Sequence, residues 1–397
     1  MSKRKAQSHH DCCCRPADRR KHLYVVLDDK DKAYSVHKLD LDVAAADPPP
    51  PEPERLPEPP FLRLEVPRRG DSCQFAAMDG KIITLQSNRP VTLVHDADTG
   101  ALAIGSAPPP ALSTHGYLTV PAAGRLYALP GVSARTAGEM YYLEEEPPLP
   151  PDLAAADPSC PEEFESERDA EEEMRRRRRS WREKQDRWVW STAAASPMPF
   201  HPADVTCHAV HPDGRTVFVS VKRTPYTWMQ HGTFSFDAGR GGGGGAWARH
   251  GDWLLPFAGQ AFFDAGLDAW VGLDEHGHLC SSNGLSRHGA RRAPPARKRG
   301  RETLLREAAA HPERRLGAAL AYMGDGRFCL VERAVRQGVK GNAMRSLGDG
   351  DKCVLHVSTF CARYGKNGEL TATSRHAGRS YVLSRHREHF RMRVFYM

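Results

Sequence analysis

Nothing in these 397 residues approaches the ~20 consecutive apolar residues that cross a bilayer, and the opening MSKRKAQSHHDCCC has no apolar core for a signal peptide. The expectation is an intracellular protein of cytoplasm or nucleus, with no membrane partner. No CxxC pair occurs among the ten cysteines, at 12, 13, 14, 73, 160, 207, 280, 329, 353 and 361, so paired-disulfide and zinc-ligand spacings are absent. Cys207, Cys329 and Cys353 lie inside apolar, strand-like runs, where a reduced thiol acts as a small hydrophobe. Also missing are a GxGxxG that opens a helix after a strand, a phosphate loop, a GxSxG elbow and an HExxH pair. The glycine run Gly241 to Gly245 has neither a lysine nor a following helix, so it does not cradle a nucleotide. No catalytic residue, metal ligand or cofactor is assigned, and a non-enzymatic protein is expected. Charge of one sign is scarce too: Lys and Arg number 56 against 49 Asp and Glu, a net +7, which is weak support for a nucleic-acid partner.

Helical periodicity is almost absent as well, and what fills its place is β. Short apolar runs rich in β-branched and aromatic residues alternate with turn residues, helped by 34 Gly and 31 Pro. Five times an apolar run, a turn with Gly or Asp, and a second apolar run occur together. They are FAAMDGKIITL, YLTVPAAGRLYAL, VTCHAVHPDGRTVFVSV, AFFDAGLDAWVGL and ALAYMGDGRFCLVE, with turn glycines at 80, 124, 214, 266 and 326. Each reads as a β-hairpin, and most of the spacings lie near the ~40–50 residues of a propeller blade. Third strands follow in LVHDADTGAL, GTFSFDAGRGGGGGAW and LHVSTFCARYGKNGEL. The expected fold is therefore all-β, a single propeller of about six four-stranded blades over residues 22–390, after a disordered tail at 1–21. Its ring closes by joining the first strand, LYVVL, to the last, RSYVL, which leaves no exposed sheet edge at the seam.

Three inserts interrupt the pattern. Residues 48–60 hold eight prolines in thirteen (PPPPEPERLPEPP) and read as a polyproline spacer. Residues 144–187 carry acidic and basic blocks in which Glu171, Glu172 and Glu173 oppose Arg175, Arg176 and Arg177 at i,i+4, the mark of a solvated helix. Residues 287–301 form a basic loop running toward a short helix at 302–309.

The basic residues Arg175, Arg176, Arg177, Arg178, Arg179, Arg297, Lys298, Arg299 and Arg301 offer patches for phosphate backbones or import receptors. No aromatic residues are interleaved with them as a single-strand binder requires. Cys207, His208 and His211 are the nearest approach to a metal set, but Cys207 and His208 point to opposite faces of a strand and His211 opens an HPDG turn. The tail residues His9, His10, Cys12, Cys13 and Cys14 form a second soft cluster without a defined geometry. Trp247, Trp253 and Trp270 are expected to pack between strands. For a protein partner, the segment VKRTPYTWMQHG puts Arg223, Tyr226, Trp228 and Met229 on one loop, residue types suited to binding hot spots.

The segments LYVVLDDKDKAYSVHKLDLD, VTCHAVHPDGRTVFVSV, GTFSFDAGRGGGGGAWARHGDWLLPFAGQAFFDAGLDAWVGL, LGAALAYMGDGRFCLVE and YGKNGELTATSRHAGRSYVL, in this order, resemble a grass-expanded plant family known as a domain of unknown function. Its members resemble kelch-type and F-box-associated propellers. The resemblance covers roughly residues 22 to 383 and implies a kelch-like fold, with no catalytic residues to carry over. The stretch ahead of LYVVL is too short for an F-box. The expected role is that of a monomeric interaction module for an unidentified protein partner, with an enzyme or small-ligand site in a central channel as the alternative and nucleic-acid binding through the basic inserts as a second.

Overall fold

The computed structural model describes residues 21–29, 33–41, 52–65, 73–86, 91–112, 118–131, 139–145, 187–193, 197–223, 230–239, 246–285, 294–306, 314–339, 350–376, 378–384 and 392–397. The all-β expectation holds, and the fold is β-propeller-like. Strands are numbered in chain order. In the first sheet, Leu23–Asp28 (β1) pairs Ala33–Leu39 (β2), and β2 pairs Leu62–Glu65 (β4). The other edge of β1 is taken by Arg393–Tyr396 (β26), so both ends of the described chain share one sheet.

Two further four-stranded sheets follow in simple sequence order. One is built from Cys73–Met78 (β5), Lys81–Gln86 (β6), Thr92–Asp96 (β7) and Leu102–Gly105 (β8). The next holds Leu118–Ala122 (β9), Arg125–Leu129 (β10), Met140–Glu145 (β11) and Trp188–Ala193 (β12). An eight-stranded sheet then joins two such groups. Val205–Val210 (β13), Thr216–Val221 (β14), Gly232–Asp237 (β15) and Ala248–Gly251 (β16) make one half. Gly259–Asp264 (β17), Ala269–Leu273 (β18), His278–Ser282 (β19) and Arg297–Thr303 (β20) make the other, and β13 runs parallel to β17 at the join. The last sheet stacks Arg315–Gly324 (β21), Arg327–Val335 (β22) and Cys353–Tyr364 (β23). The far edge of β23 is shared by Leu370–His376 (β24) and Ser380–Leu383 (β25), and β25 pairs in parallel with Glu54–Arg55 (β3).

The five hairpins expected from turn chemistry are the pairs β5–β6, β9–β10, β13–β14, β17–β18 and β21–β22. Asp79-Gly80 and Asp325-Gly326 adopt positive φ at both positions, 49° and 73° in the first turn and 51° and 70° in the second. That is the two-residue geometry whose twist matches the flanking strands. In the β17–β18 turn the left-handed position belongs to Asp268, at φ 47°, and Gly266 is not needed for it.

Side-chain alternation sends each sheet's residues into two cores, one on either face. Tyr24, Val26, Tyr34 and Val36 meet Phe75 and Ile82 of the second sheet. Leu23, Val25 and Leu27 meet Val331, Leu355 and Val357 of the last sheet on the opposite face. Between these, Ile83 and Leu85 pack with Leu126 and Leu143; Tyr127 and Met140 with Val219 and Phe236; Cys207 and Phe218 with Trp270 and Cys280; and Val271 and Leu279 with Phe328 and Phe360. Neighbouring groups of strands also touch in turn: β26 lies against β5 and β21, β5 against β9, β9 against β14, and β17 against β21.

Four expectations change. The strand that pairs β1 is RVFY at 393–396, beyond the expected boundary of 390, because RSYVL is already committed as β25 to β23. The proline-rich insert is more than a spacer. Glu54 and Arg55 add a strand to β25, the Arg55 guanidinium donates to Ser384 and Asp351, and Pro57 O lies 3.1 Å from His37 Nδ1. The end of the basic insert, expected as a loop, is the outer strand β20, which needs no apolar face because its sides are wet. Residues 302 and 303 continue that strand instead of opening a helix. The tail, most of the acidic and basic insert, and Gly241 to Gly245 lie outside the described residues.

Candidate functional site

Cys207 and Ala209 of β13 belong to the core between the two halves of the eight-stranded sheet, so His208 projects from the opposite face. Its register partner across the parallel join is Gln260, which projects the same way because Ala261 fills that core. On β26, Val394 and Tyr396 pack into the core between the first and last sheets, leaving Arg393 on the other face. The three side chains come from three different strands that lead their sheets.

His208 is 7% exposed, and among the described residues no hydrogen bond reaches its ring. Burial, followed by the Arg393 charge, lowers its pKa from the usual 6.5 to about 4. The ring is therefore neutral at pH 7. Gln260 beside it is exposed. A second lowered histidine, His356, hydrogen-bonds Ser380 Oγ at 2.7 Å through Nδ1 and is held at about 4 by burial and then by Arg306 and Arg314.

These depressed values fix the sign of a pH effect. An unfolded histidine takes up its proton near pH 6.5, whereas folded His208 waits until about pH 4. The stability contributed by the neutral ring is complete above pH 6.5 and is lost as pH falls toward 4. Thermal melts at pH 7 and pH 5 are expected to show a lower Tm at pH 5, with His208 accounting for about 2 kcal/mol of the lost stability. A His208→Asn variant is expected to show a shallower dependence; an unchanged slope refutes the assignment.

Among the described residues no group of three His, Cys, Asp or Glu side chains converges to hold a metal. His211 Nδ1 accepts from Asp213 N at 3.2 Å, and Asp213 accepts from Arg215 N and Thr216 N, so the HPDG segment organises its own turn. Cys207 is fully buried and burial pushes its thiol up to about 12, in keeping with a packing role. Trp270 packs in the adjoining core and donates to Val210 O at 3.0 Å, and Trp247 meets Phe200 edge-on at 4.8 Å between centroids.

Of the partner-binding residues expected from the sequence, Arg223 is exposed just after β14, while Tyr226, Trp228 and Met229 lie outside the described residues. Arg175 to Arg179 also lie outside them. The second basic patch is resolved on β20, and half of it serves the fold. Arg299 donates to Asp274 Oδ2 at 2.7 Å, and Lys298 donates to Gly368 O at 2.8 Å with its ammonium 4.2 Å from the Tyr364 centroid. Arg297 and Arg301 remain exposed on the same edge strand. Sequence reasoning also missed Leu102 and Ile104 on β8, which are 56% and 65% exposed. The signal was there in LAIG, an edge strand with no charge.

A family model described as a protein of unknown function, DUF1668, matches residues 20–381. The chain belongs to this family. No curated protein matches the sequence. Solved structures similar to this DUF1668 chain include a periplasmic gluconolactonase from Pseudomonas aeruginosa, at 12% identity and TM-score 0.43 over 94% of this chain and 98% of that one. A putative 6-phosphogluconolactonase from Bacteroides uniformis matches at 9% identity and TM-score 0.36 over 94% and 99%. A calcium-binding regucalcin from Agrobacterium tumefaciens matches at 12% identity and TM-score 0.35 over 82% and 85%. Among the described residues of the DUF1668 chain, no helix is long and apolar enough to cross a membrane.

Proposed function

We propose that the chain is a six-bladed propeller, closed by β26 on β1, that works as a non-enzymatic module holding an extended segment of another protein along β8. The closed ring is supported by the succession of cores, in which each group of strands packs on the next and the last returns to the first. The observation that carries the binding role is the contrast among outer edges. Charged side chains guard β4 with Arg63 and Glu65, β16 with Arg249, β20 with its arginines, and β3 with Glu54 and Arg55. Such charges block strand addition, whereas an uncharged edge with apolar side chains invites it. Two outer edges lack charge, β8 and β12, and β8 is the one with exposed apolar side chains: Leu102 and Ile104, two residues apart, project on one side of it, whereas Val189 and Trp190 of β12 are half-buried. A partner strand with apolar residues at alternate positions fits both the backbone edge and this pair.

Cross-linking mass spectrometry on the native-tissue complex, with wild-type chain and a Leu102→Lys, Ile104→Lys variant, tests the reading. Links between residues 100–106 and a partner segment are expected in the wild type and lost in the variant. An unchanged link map, or links only between two copies of this chain, overturns it.

A further inference from the structure

A second outer edge has a chemistry of its own, independent of β8. β20 ends the eight-stranded sheet and pairs only with β19. Next to that ladder Asn283 N donates to Ala296 O at 3.2 Å, while Ser282 and Cys280 stand opposite Arg297 and Arg299. Bonded and non-bonded pairs alternate along an antiparallel ladder, so the main-chain groups of Arg297 and Arg299 face away from β19. Lys298, between them, points to the last sheet, where it meets Gly368 O and the Tyr364 ring, and the two arginines therefore project on the other face. Arg301 follows two residues on, past the register shift in this pair of strands.

All three arginines are exposed. Arg299 is held by Asp274 Oδ2 at 2.7 Å, whereas Arg297 and Arg301 make no ion pair or hydrogen bond among the described residues. Cations thus recur at every second residue, about 7 Å apart on an extended strand, beside main-chain groups that no other strand takes up. An extended peptide with carboxylates at alternate residues matches both features. Its carboxylates fall opposite the guanidiniums, whose paired N–H groups suit them, and its main chain meets the edge. A nucleic acid satisfies the charges alone, and its bases find no free ring here, because Tyr364 carries Lys298 on its face and Ser281 on its hydroxyl. The same charges turn away the apolar strand that suits β8, so the two edges select different partners.

We propose that β20 is a docking edge for an extended acidic segment of another protein, whose alternate carboxylates pair with Arg297, Arg299 and Arg301. Arg299 is shared with Asp274, so Arg297 and Arg301 carry most of the recognition. Lysine in their place keeps the charge but not the two-pronged bond to a carboxylate.

The test titrates the full chain with three labelled probes and reads fluorescence anisotropy. They are a short peptide that alternates glutamate with threonine, a peptide of the same composition with its glutamates in one block, and a thymidine oligonucleotide of equal charge. The alternating peptide is expected to bind roughly tenfold more tightly than either other probe. Arg297→Gln with Arg301→Gln is expected to abolish the preference, and the corresponding double lysine variant to recover part of it. Arg363→Gln, at an exposed position on β23, leaves binding unchanged. So does Leu102→Lys with Ile104→Lys, which keeps this edge separable from β8. Equal affinity for the block peptide or the oligonucleotide overturns the proposal, as does binding that survives the double glutamine variant. A lowered melting temperature in both double variants assigns the arginines to the fold and also overturns it. Glu163, Glu165, Glu167 and Asp169 of this chain carry the same alternate pattern. If the alternating peptide binds only after these four are changed to their amides, the occupant is this stretch and the assignment to another protein fails.

Discussion

A chain truncated after residue 391 is expected to lose its cooperative thermal transition, or to melt more than 15 °C below the full-length protein. The six residues removed carry all of β26. Leu23, Tyr24, Val25 and Val26 lie in register with Tyr396, Phe395, Val394 and Arg393, and Met397 exchanges backbone hydrogen bonds with His22 at 2.8 and 3.2 Å. Without the strand, β1 presents an open backbone edge although Leu23, Val25 and Val26 are fully buried in the intact chain. Val394 and Tyr396 leave the core they share with Leu355, and Phe395 leaves the one it shares with Tyr24. Each lost backbone bond is worth about 0.5–1.5 kcal/mol and each buried apolar side chain about 1.5–3 kcal/mol. Over one strand these reach the ~5–15 kcal/mol that holds an ordinary domain together. Circular dichroism melts of the two chains decide it, and a truncated chain that melts cooperatively within about 3 °C of the parent refutes the closing role of β26. A synthetic peptide of residues 392–397 added in trans is expected to recover part of the transition.

That strand is also where the sequence is hardest to read. The five hairpins announce themselves because both strands and the turn that joins them are contiguous, as in Asp79-Gly80 between β5 and β6. The pair β26 with β1 joins the two ends of the described chain, so no turn residue marks it and RVFY is a short run behind a basic stretch. RSYVL looks more strand-like and was the natural choice for closure, but its alternation serves the far edge of β23. For the same reason β3 and β20 escape notice: an outer-edge strand has little to bury, so its sequence need not alternate. The surroundings of His208 are less legible still. His208 is visible in VTCHAV as a histidine inside a strand, yet its neighbours Gln260 and Arg393 are 52 and 185 positions away on other strands, and no spacing rule connects them.

Replacing Asp264 by alanine is the single substitution expected to cost most, about 3–5 kcal/mol in urea unfolding. Tyrosine or tryptophan side chains tie neighbouring groups of strands at several places by bonding a backbone carbonyl of the adjoining group. Tyr127 bonds Ala238 O at 3.2 Å and Trp270 bonds Val210 O at 3.0 Å. Between the β17 half and the last sheet the acceptor is instead a side chain. Asp264 is 1% exposed; its Oδ1 accepts from Leu267 N at 2.9 Å, and its Oδ2 accepts from the Tyr322 hydroxyl at 2.8 Å and from Gly326 N at 2.6 Å. One carboxyl thus closes its own turn and holds the turn of the next hairpin. Burial and then Asp264 push the Tyr322 hydroxyl up to about 12, so it stays a donor throughout the usable pH range. Alanine leaves three donors without this acceptor, and each buried group so left costs about 1–3 kcal/mol. Tyr322→Phe removes donor and bond together and is expected to cost only about 1–2 kcal/mol, because nothing remains unsatisfied on the tyrosine side. The difference between the two variants isolates the backbone ties: if Asp264→Ala costs no more than Tyr322→Phe, the bonds to Leu267 and Gly326 contribute nothing. A larger cost for alanine, with Asp264→Asn falling between the two because its amide retains a carbonyl acceptor but offers the second donor group no oxygen, assigns the junction between these sheets to the carboxyl of Asp264.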